Sequence, residues 1–339
     1  MTRQRRPTIT TVAEVANVSI ASASRALNGI HTNPETRARV LAAAEQVGYM
    51  PHAAARSLRS RQSGLIAFAM HDVANPVYST MVSSIQQVAS EAGLRLILHS
   101  TGADAENELA ILRDLGQRFV DGLILSPIVV TDRHLEALRS AAAPVVIIGR
   151  LPRDVPVDTV EADSRRGAAA AIRHLHALGR RRIAFVNGPE GTTPGHERRL
   201  GYLAGLRSVG LGSERALLEV ALAFTADAGR TATTRLLARA LPDAILYAND
   251  LLAVGGLGAL REAGRFVPDE VAVVGMDDTE LARLCFPTLS SVDLGSAERA
   301  RIAVKLLLAR LERPGDPPRR IRIPARLVTR ASAPEPSAL

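Results

Sequence analysis

The chain predicts an α/β protein with an N-terminal three-helix helix-turn-helix head and two doubly wound parallel-sheet subdomains. Three observations carry that expectation. From Gly64 onward, short β-rich apolar runs alternate with amphipathic helical stretches. The alternation occurs twice, dividing near Asp163. The charge is concentrated at the start: residues 1–61 hold nine arginines against three carboxylates, within a chain whose net charge is +8. A basic head on a nearly neutral body calls for a polyanionic partner for the head.

The head is read in order. Thr11-Val12-Ala13-Glu14 fits a capping box, with Thr11 as N-cap and Glu14 reaching back. Val12, Val15 and Ala16 follow as an apolar stripe. Asn17-Val18-Ser19 makes a tight turn, and Ser19 caps a second helix, Ile20 to Leu27. Asn33-Pro34 opens a third helix that runs through Val40, Leu41, Ala44 and Val47 and ends at Gly48. The second helix is built almost entirely of Ala and Ser. Such a face is too small for an ordinary core and suits a narrow groove. Ala21 and Ser22 let the backbone approach base edges, serine hydroxyls reach phosphates, and Arg25 is long enough for a bidentate contact to guanine. A small Ala-rich bundle that binds another protein fits the same residues.

The segments Val12-Ala13, Ala16-Asn17-Val18-Ser19, Ser22-Ala23-Ser24-Arg25 and Leu27-Asn28 closely resemble the signature of the lactose-repressor (LacI/GalR) family of bacterial transcription regulators. "NPETRARVLAAAEQVGYMPHAAARSL" continues the likeness without a gap, and it extends to about Arg330. Ser22 stands where the family usually has Thr, and Ala23 where it usually has Val. The resemblance implies a sequence-specific regulator, a repressor, that binds a double-stranded operator as a homodimer. It assigns DNA contacts to Thr11, Ser19, Ile20, Ala21, Ser22, Ser24, Arg25 and Asn28. It also implies that Ala55, Arg56, Ser57 and Leu58 form a hinge helix only on DNA, with Leu58 wedged into the minor groove. His52 to Arg61 has too few apolar residues to hold a helix alone, which agrees with that behaviour. A flexible linker also fits. The family's C-terminal tetramerisation helix is not expected, because "ASAPEPSAL" carries two prolines and no heptads.

In the body, "LIAFAM", "LRLILHS", "GLILSP", "VVIIGR", "RIAFVNG", "AILYAND" and "VAVVGMDD" read as strands. Met81–Ala92, Ala105–Leu115 and Arg165–Leu178 read as helices between them. The expected organisation is a head at 1–48, a hinge at 49–63, a periplasmic-binding-protein-like core at 64–330 and a disordered tail at 331–339. Within the core, one subdomain takes about 64–163 plus 292–319, and the other takes 164–291 plus 320–330. Ligands of such sheets bind at the carboxyl ends of strands, which places a small molecule between the two subdomains.

Strand-end residues are therefore the pocket candidates: Asn75, Tyr78, Arg150, Arg198, Phe224, Asn249 and Asp277. Arg, Asn and Asp hydrogen-bond hydroxyls, and aromatic rings stack on the apolar face of a sugar. The set resembles the family's sugar-type pocket and, apart from Tyr78, periplasmic pentose- and hexose-binding relatives. Val77 replaces one usual aromatic, and Gly149 stands where some sugar binders carry Asp. Asp250 and Asp278 read equally as caps of following helices, and Tyr78 as cleft packing.

An enzyme is disfavoured. "GGLGAL", Gly255 to Leu260, falls inside a helical stretch, and "GPEGTTPG" lacks the Lys-Ser/Thr of a P-loop. No HExxH or GxSxG motif occurs. His71, His99, His174 and His176 lack metal-ligand spacing, and Cys285, the single cysteine, allows no intrachain disulfide. No catalytic residue, metal or cofactor is expected. No apolar run approaches the ~18 residues of a membrane span, and no signal peptide is read, so a cytoplasmic chain without membrane association is expected. A secreted sugar-binding protein would account for the body but not for the head. Whether a ligand induces or co-represses stays open in the sequence.

Overall fold

The computed structural model describes residues 7–28, 30, 32–49, 63–102, 104–117 and 119–336. The chain separates into two units, Met1–Ser63 and Gly64–Leu339. The sequence-assigned hinge residues Ala55, Arg56 and Leu58 lie outside the described residues.

The head contains α1 (Ile9–Val15), α2 (Ile20–Leu27) and α3 (Pro34–Gln46). Val12, Ala13, Ala16, Ala23, Ala26, Val40, Ala43 and Ala44 form its core. Side chains this small let short helices approach closely. Ser19 caps α2, its Oγ accepting from Ser22 N at 3.1 Å. Asn33 caps α3 ahead of Pro34, and Gly48 follows at φ +65°, the left-handed conformation that ends the helix without a Cβ clash. The first cap is corrected. Thr8, not Thr11, is the N-cap of α1, and Thr11 takes the reciprocal place in the box assigned to Glu14. A threonine hydroxyl accepts from or donates to backbone as readily as a carboxylate accepts, so the box starts one turn earlier. Val15 and Leu41, expected inside, are 46% and 47% exposed. Ala13 and Ala43 are buried in the same two helices.

The core begins with β1 (Leu65–Met70), α4 (Pro76–Glu91), β2 (Arg95–Ser100), α5 (Ala105–Asp114), β3 (Gly122–Ser126), α6 (Asp132–Arg139), β4 (Val145–Ile148) and β5 (Asp158–Ala162). The chain then builds a second lobe. It comprises α7 (Ser164–Ala177), β6 (Ile183–Asn187), α8 (Thr193–Ser208), β7 (Leu218–Val220), α9 (Ala226–Leu237), β8 (Ala244–Tyr247), α10 (Asp250–Glu262), β9 (Ala272–Met276), α11 (Leu281–Leu284) and β10 (Ser290–Asp293). It returns to the first lobe with α12 (Ser296–Glu312) and β11 (Arg320–Ile323), and closes in the second with β12 (Arg326–Val328).

The first sheet runs β11-β5-β4-β3-β1-β2 and the second β12-β10-β9-β8-β6-β7. All pairs are parallel except β10 with β12. Strands β3, β4, β6, β8 and β9 are buried at every residue. That explains their unbroken apolar runs: helices cover both faces of a parallel sheet, so no position alternates to solvent. Helix α12 packs Ala300, Ala303, Val304 and Leu307 into the first-lobe cluster with Phe68, Met81 and Ile85.

Two expected boundaries move. Arg320–Ile323 pairs with Thr159–Ala162 in the first sheet, so this strand does not complete the second. Only Arg326–Val328 does so, antiparallel to Ser291–Asp293. The first return crossing falls after Asp293 rather than at 292. The tail is also corrected over residues 331–336, since Ser332 and Ala333 are fully buried. Ser332 Oγ accepts from Ser290 N at 2.8 Å and donates to Val273 O at 2.6 Å. The two prolines, Pro334 and Pro336, both follow this anchor and do not prevent it.

Ser332→Ala should therefore destabilise the chain by about 1–3 kcal/mol, because the buried Ser290 N–H loses its acceptor. Urea unfolding should show a lower midpoint at unchanged slope. An unshifted midpoint would return Ser332 to a loose tail.

Candidate functional site

The carboxyl ends of the strands of both lobes converge on a cavity of about 330 Å³. The seven sequence-predicted residues all line it. Asn75, Tyr78 and Arg150 come from the first lobe; Arg198, Phe224, Asn249 and Asp277 come from the second. The size is at the lower end of the usual ~300–1,000 Å³ of small-molecule sites.

Asn75 and Asn249 hold corresponding places in the two lobes. Each follows a strand and caps a helix: Val77 N donates to Asn75 Oδ1 at 3.2 Å, and Leu252 N to Asn249 Oδ1 at 2.9 Å. The amide-rich starts of α4 and α10 therefore lie at the cavity, with their partial positive charge. Tyr78 is buried, tilted against Phe68 with ring centroids 6.3 Å apart. Burial raises its phenol pKa, and a hydrogen bond with Ser126 opposes this. It both lines the cavity and packs the cleft, so the two readings of Tyr78 coincide. Phe224 lies against Gly188, where a Cβ would fall 2.1 Å from the ring. Only glycine leaves room for that aromatic wall.

Arg198 and Asp277 form the polar centre. They are 8% and 6% exposed, with Arg198 Nη2 donating to Asp277 Oδ1 at 3.1 Å. The other amino nitrogen, Nη1, donates to the Ala248 carbonyl. Arg198 Nε is buried with no hydrogen-bond partner among the described residues. Burial raises the Asp277 carboxyl pKa, and the guanidiniums of Arg198 and Arg299 oppose it. Asp277 sits at φ +106° and Asp278 at +48°, strained positions for residues with a side chain. Arg150 links the lobes, with its Nη1 2.8 Å from Glu197 Oε1 on α8 and its Nε 3.6 Å from Glu161 Oε2 on β5.

Asp250 and Asp278 are not helix caps. Asp250 lies at the start of α10 behind its cap Asn249. Its Oδ2 accepts from Thr279 N at 2.7 Å and Thr279 Oγ1 at 2.9 Å, and its Oδ1 accepts from Ser291 Oγ at 2.5 Å. Asp278 pairs with Arg330 at 2.7 Å. Sequence reasoning missed Glu161, Asp163, Glu197, Arg299 and Arg322, which also line the cavity. Glu197 had a readable signal in standing beside Arg198. Arg299 had none, because a charged residue in an amphipathic helix reads as its solvated face.

In the head, Ile20, Ala21, Ser24 and Arg25 of α2 share one depression. Ile20 is 46% exposed, and among the described residues no carboxylate pairs with the exposed Arg25. The remaining predicted contacts are engaged in local structure. Ser19 and Ser22 hydroxyls bond each other at 2.9 Å, Asn28 Nδ2 donates to Ser24 O at 2.7 Å, and Thr11 is held in the cap with Thr8. Among the described residues no three His, Cys, Asp or Glu group as metal ligands, and no helix is long and apolar enough to cross a membrane.

A helix-turn-helix head with an exposed arginine on its second helix, followed in the chain by a two-lobed core around a polar cavity, defines a DNA-binding regulator with a small-molecule site. Comparison with known proteins agrees. Residues 8–52 match the bacterial regulatory proteins of the lacI family, and residues 172–333 match a periplasmic binding protein-like domain. The HTH-type transcriptional regulator CelR of Thermobifida fusca is 34% identical over 98% of this chain and 100% of its own length. A structure of a CelR–cellobiose complex is 31% identical with TM-score 0.74, covering 96% of this chain and 100% of that one. A lac repressor dimer bound to operator and the anti-inducer ONPF is 26% identical with TM-score 0.86, covering 97% and 100%. The chain belongs to the lacI family of bacterial regulatory proteins and is a DNA-binding transcriptional regulator.

Burial raises the Asp250 carboxyl to about 7, Asp277 adds to the effect, and the Ser291 and Thr279 hydrogen bonds oppose it. A carboxyl raised on folding costs nothing while it is protonated in both states. Its ionisation then penalises the fold progressively as pH rises from the unfolded value near ~4 toward the folded one. Asp250→Asn should therefore gain stability relative to the parent as pH is raised through that window, in thermal melts at matched ionic strength. A difference that is flat with pH, or that falls, would show that Asp250 stays ionised in the fold.

Proposed function

We propose that the chain is a homodimeric repressor whose operator affinity is set by a sugar or sugar derivative bound between its two core lobes. One observation carries the reading: hydroxyl-binding and ring-stacking side chains from both lobes converge on one cavity. Arg198, Asp277 and Asn249 offer paired donors and acceptors for adjacent hydroxyls, and Phe224 and Tyr78 offer aromatic faces. The whole-length similarity to a regulator solved with cellobiose supports the ligand class. The similarity to a repressor dimer on its operator supports a dimer and an operator with two half-sites. Leu284 and Phe286, 71% and 96% exposed on the second lobe, are apolar surface that a second copy would cover. On this reading Arg25 contacts guanine, and Ile20 and Ala21 select the neighbouring bases. Leu58, flanked by Arg56, wedges into the minor groove and couples the core to DNA. The reading places the chain in the cytoplasm and gives it no enzymatic step.

The reading is tested with two variants against two ligands. The DNA is the site the parent chain selects from a random pool, and the small molecules are a panel of mono- and disaccharides screened by thermal shift. Arg198→Ala should abolish stabilisation by the saccharide that raises the parent's melting temperature, while keeping DNA affinity. Arg25→Ala should keep that stabilisation and lose about 1–3 kcal/mol on the selected DNA, with relaxed base preference. Saccharide stabilisation unchanged in Arg198→Ala would move the pocket elsewhere. Undiminished selectivity in Arg25→Ala would misplace the reading helix.

A further inference from the structure

The cavity is not electrically balanced. Six arginines line it (Arg150, Arg165, Arg166, Arg198, Arg299 and Arg322) against the four carboxylates of Glu161, Asp163, Glu197 and Asp277. The carboxylates are already engaged. Glu197 pairs with Arg150, Glu161 with Arg150 and Arg322, and Asp277 with Arg198. Asp163 caps α7 through Arg166 N and has the Arg166 guanidinium 3.9 Å away. Of the two arginines left over, Arg165 is exposed and screened by water. Arg299 is not, being partly buried on α12 and lining the cavity from the first lobe.

Arg299 makes one hydrogen bond among the described residues, from Nε to the Leu294 carbonyl at 3.0 Å. That bond fixes the guanidinium plane and leaves its two amino groups without an acceptor among the described residues. Burial lowers its pKa; the charge of Asp277 opposes this, while that of Arg198 acts with burial. One buried carboxylate thus faces two guanidiniums, one from each lobe. The Nε of Arg198 also lacks an acceptor. The carboxylates of Asp277, shared with Arg198, and of Asp293, held by the Gly295 N–H, only partly offset the desolvated charge of Arg299, and an anion entering the cavity would offset more of it. The planar fork of an arginine suits bidentate binding of a carboxylate or phosphate.

We infer that the effector is a polyhydroxyl compound carrying an anionic group, a carboxylate or a phosphate, which docks on Arg299 while Arg198 and Asp277 hold its hydroxyls. The inference rests on the effector reading of the cavity and adds the ligand's charge to it. It also makes the ligand a bridge between lobes. Its anion would bind α12 of the first lobe, and its hydroxyls would bind the strand ends of the second.

The test uses the full chain, thermal unfolding and matched pairs of probes at one ionic strength: glucose with glucuronate, galactose with galacturonate, and ribose with ribose 5-phosphate. At least one acidic member should raise the melting temperature at a concentration where its neutral partner does not. The uronate and phosphate arms show which anion is accepted. Arg299→Met should weaken that acid's affinity by about ten- to a hundredfold, and Arg299→Lys, which keeps the charge, should retain part of it. The ligand-free melting temperature of each variant reports its folding directly. Neutral sugars that stabilise as well as their acids, with Arg299→Met indifferent, would overturn the anionic group and leave the sugar pocket standing. Stabilisation by no acid in the panel would also overturn it, and the neutral arms would then decide the sugar reading separately.

Discussion

The core depends on the chain passing between its two sheets three times, at Asp163, at Leu294-Gly295 and at Pro324-Ala325. Neither lobe is completed by a continuous segment. The first needs α12 and β11 from beyond the second, and the second needs β12 and the Ser332 anchor from the end of the chain. The lobes are thereby tied along one side and free to face each other on the other. Parallel strands end toward that shared space, and several strand ends and the loops after them deliver a polar side chain to it. Asn75, Ser126, Arg150, Asn249 and Asp277 are all such deliveries.

Around this frame the second lobe is built for rigidity at its polar end. Asp277 and Asp278 hold unfavourable positive φ values, and several independent ties keep them there. Asp277 is bound by Arg198, Asp278 by Arg330 and by its own N–H to Ser291, and Thr279 by Asp250. Strain of this kind persists only where its surroundings over-determine it. Here it aims a carboxylate into the cavity. The ties between the lobes include Arg150 to Glu197, Thr193 N donating to the Ile128 carbonyl at 2.8 Å, and the charge attraction between Arg299 and Asp277. A ligand that replaces or strengthens those ties changes how the lobes engage, and that difference is what allostery requires.

Much of this was legible in the sequence because it is local. Apolar runs marked the strands, Ser19, Asn33-Pro34 and Gly48 marked helix ends, and strand-end polar residues marked the cavity. What was not legible depends on distant partners. Asp250 read as a cap, since its hydroxyl donors lie 29 and 41 residues away at Thr279 and Ser291. Arg320–Ile323 and Arg326–Val328 are short runs in which Arg alternates with or precedes apolar residues, and periodicity cannot say which sheet edge each will join. Ser332 lies just before two prolines, and nothing nearby in sequence shows that its hydroxyl bonds Ser290 N and the Val273 carbonyl.

The central claim is that one small molecule is held by both lobes at once. Hydrogen exchange on the full chain tests it directly, using whichever saccharide or sugar acid raises the melting temperature. Protection should rise together at the first-lobe junctions around Asn75–Tyr78 and Gly149–Arg150 and at the second-lobe junctions around Arg198, Asn249 and Asp277. Protection confined to the junctions of a single lobe would contradict the account.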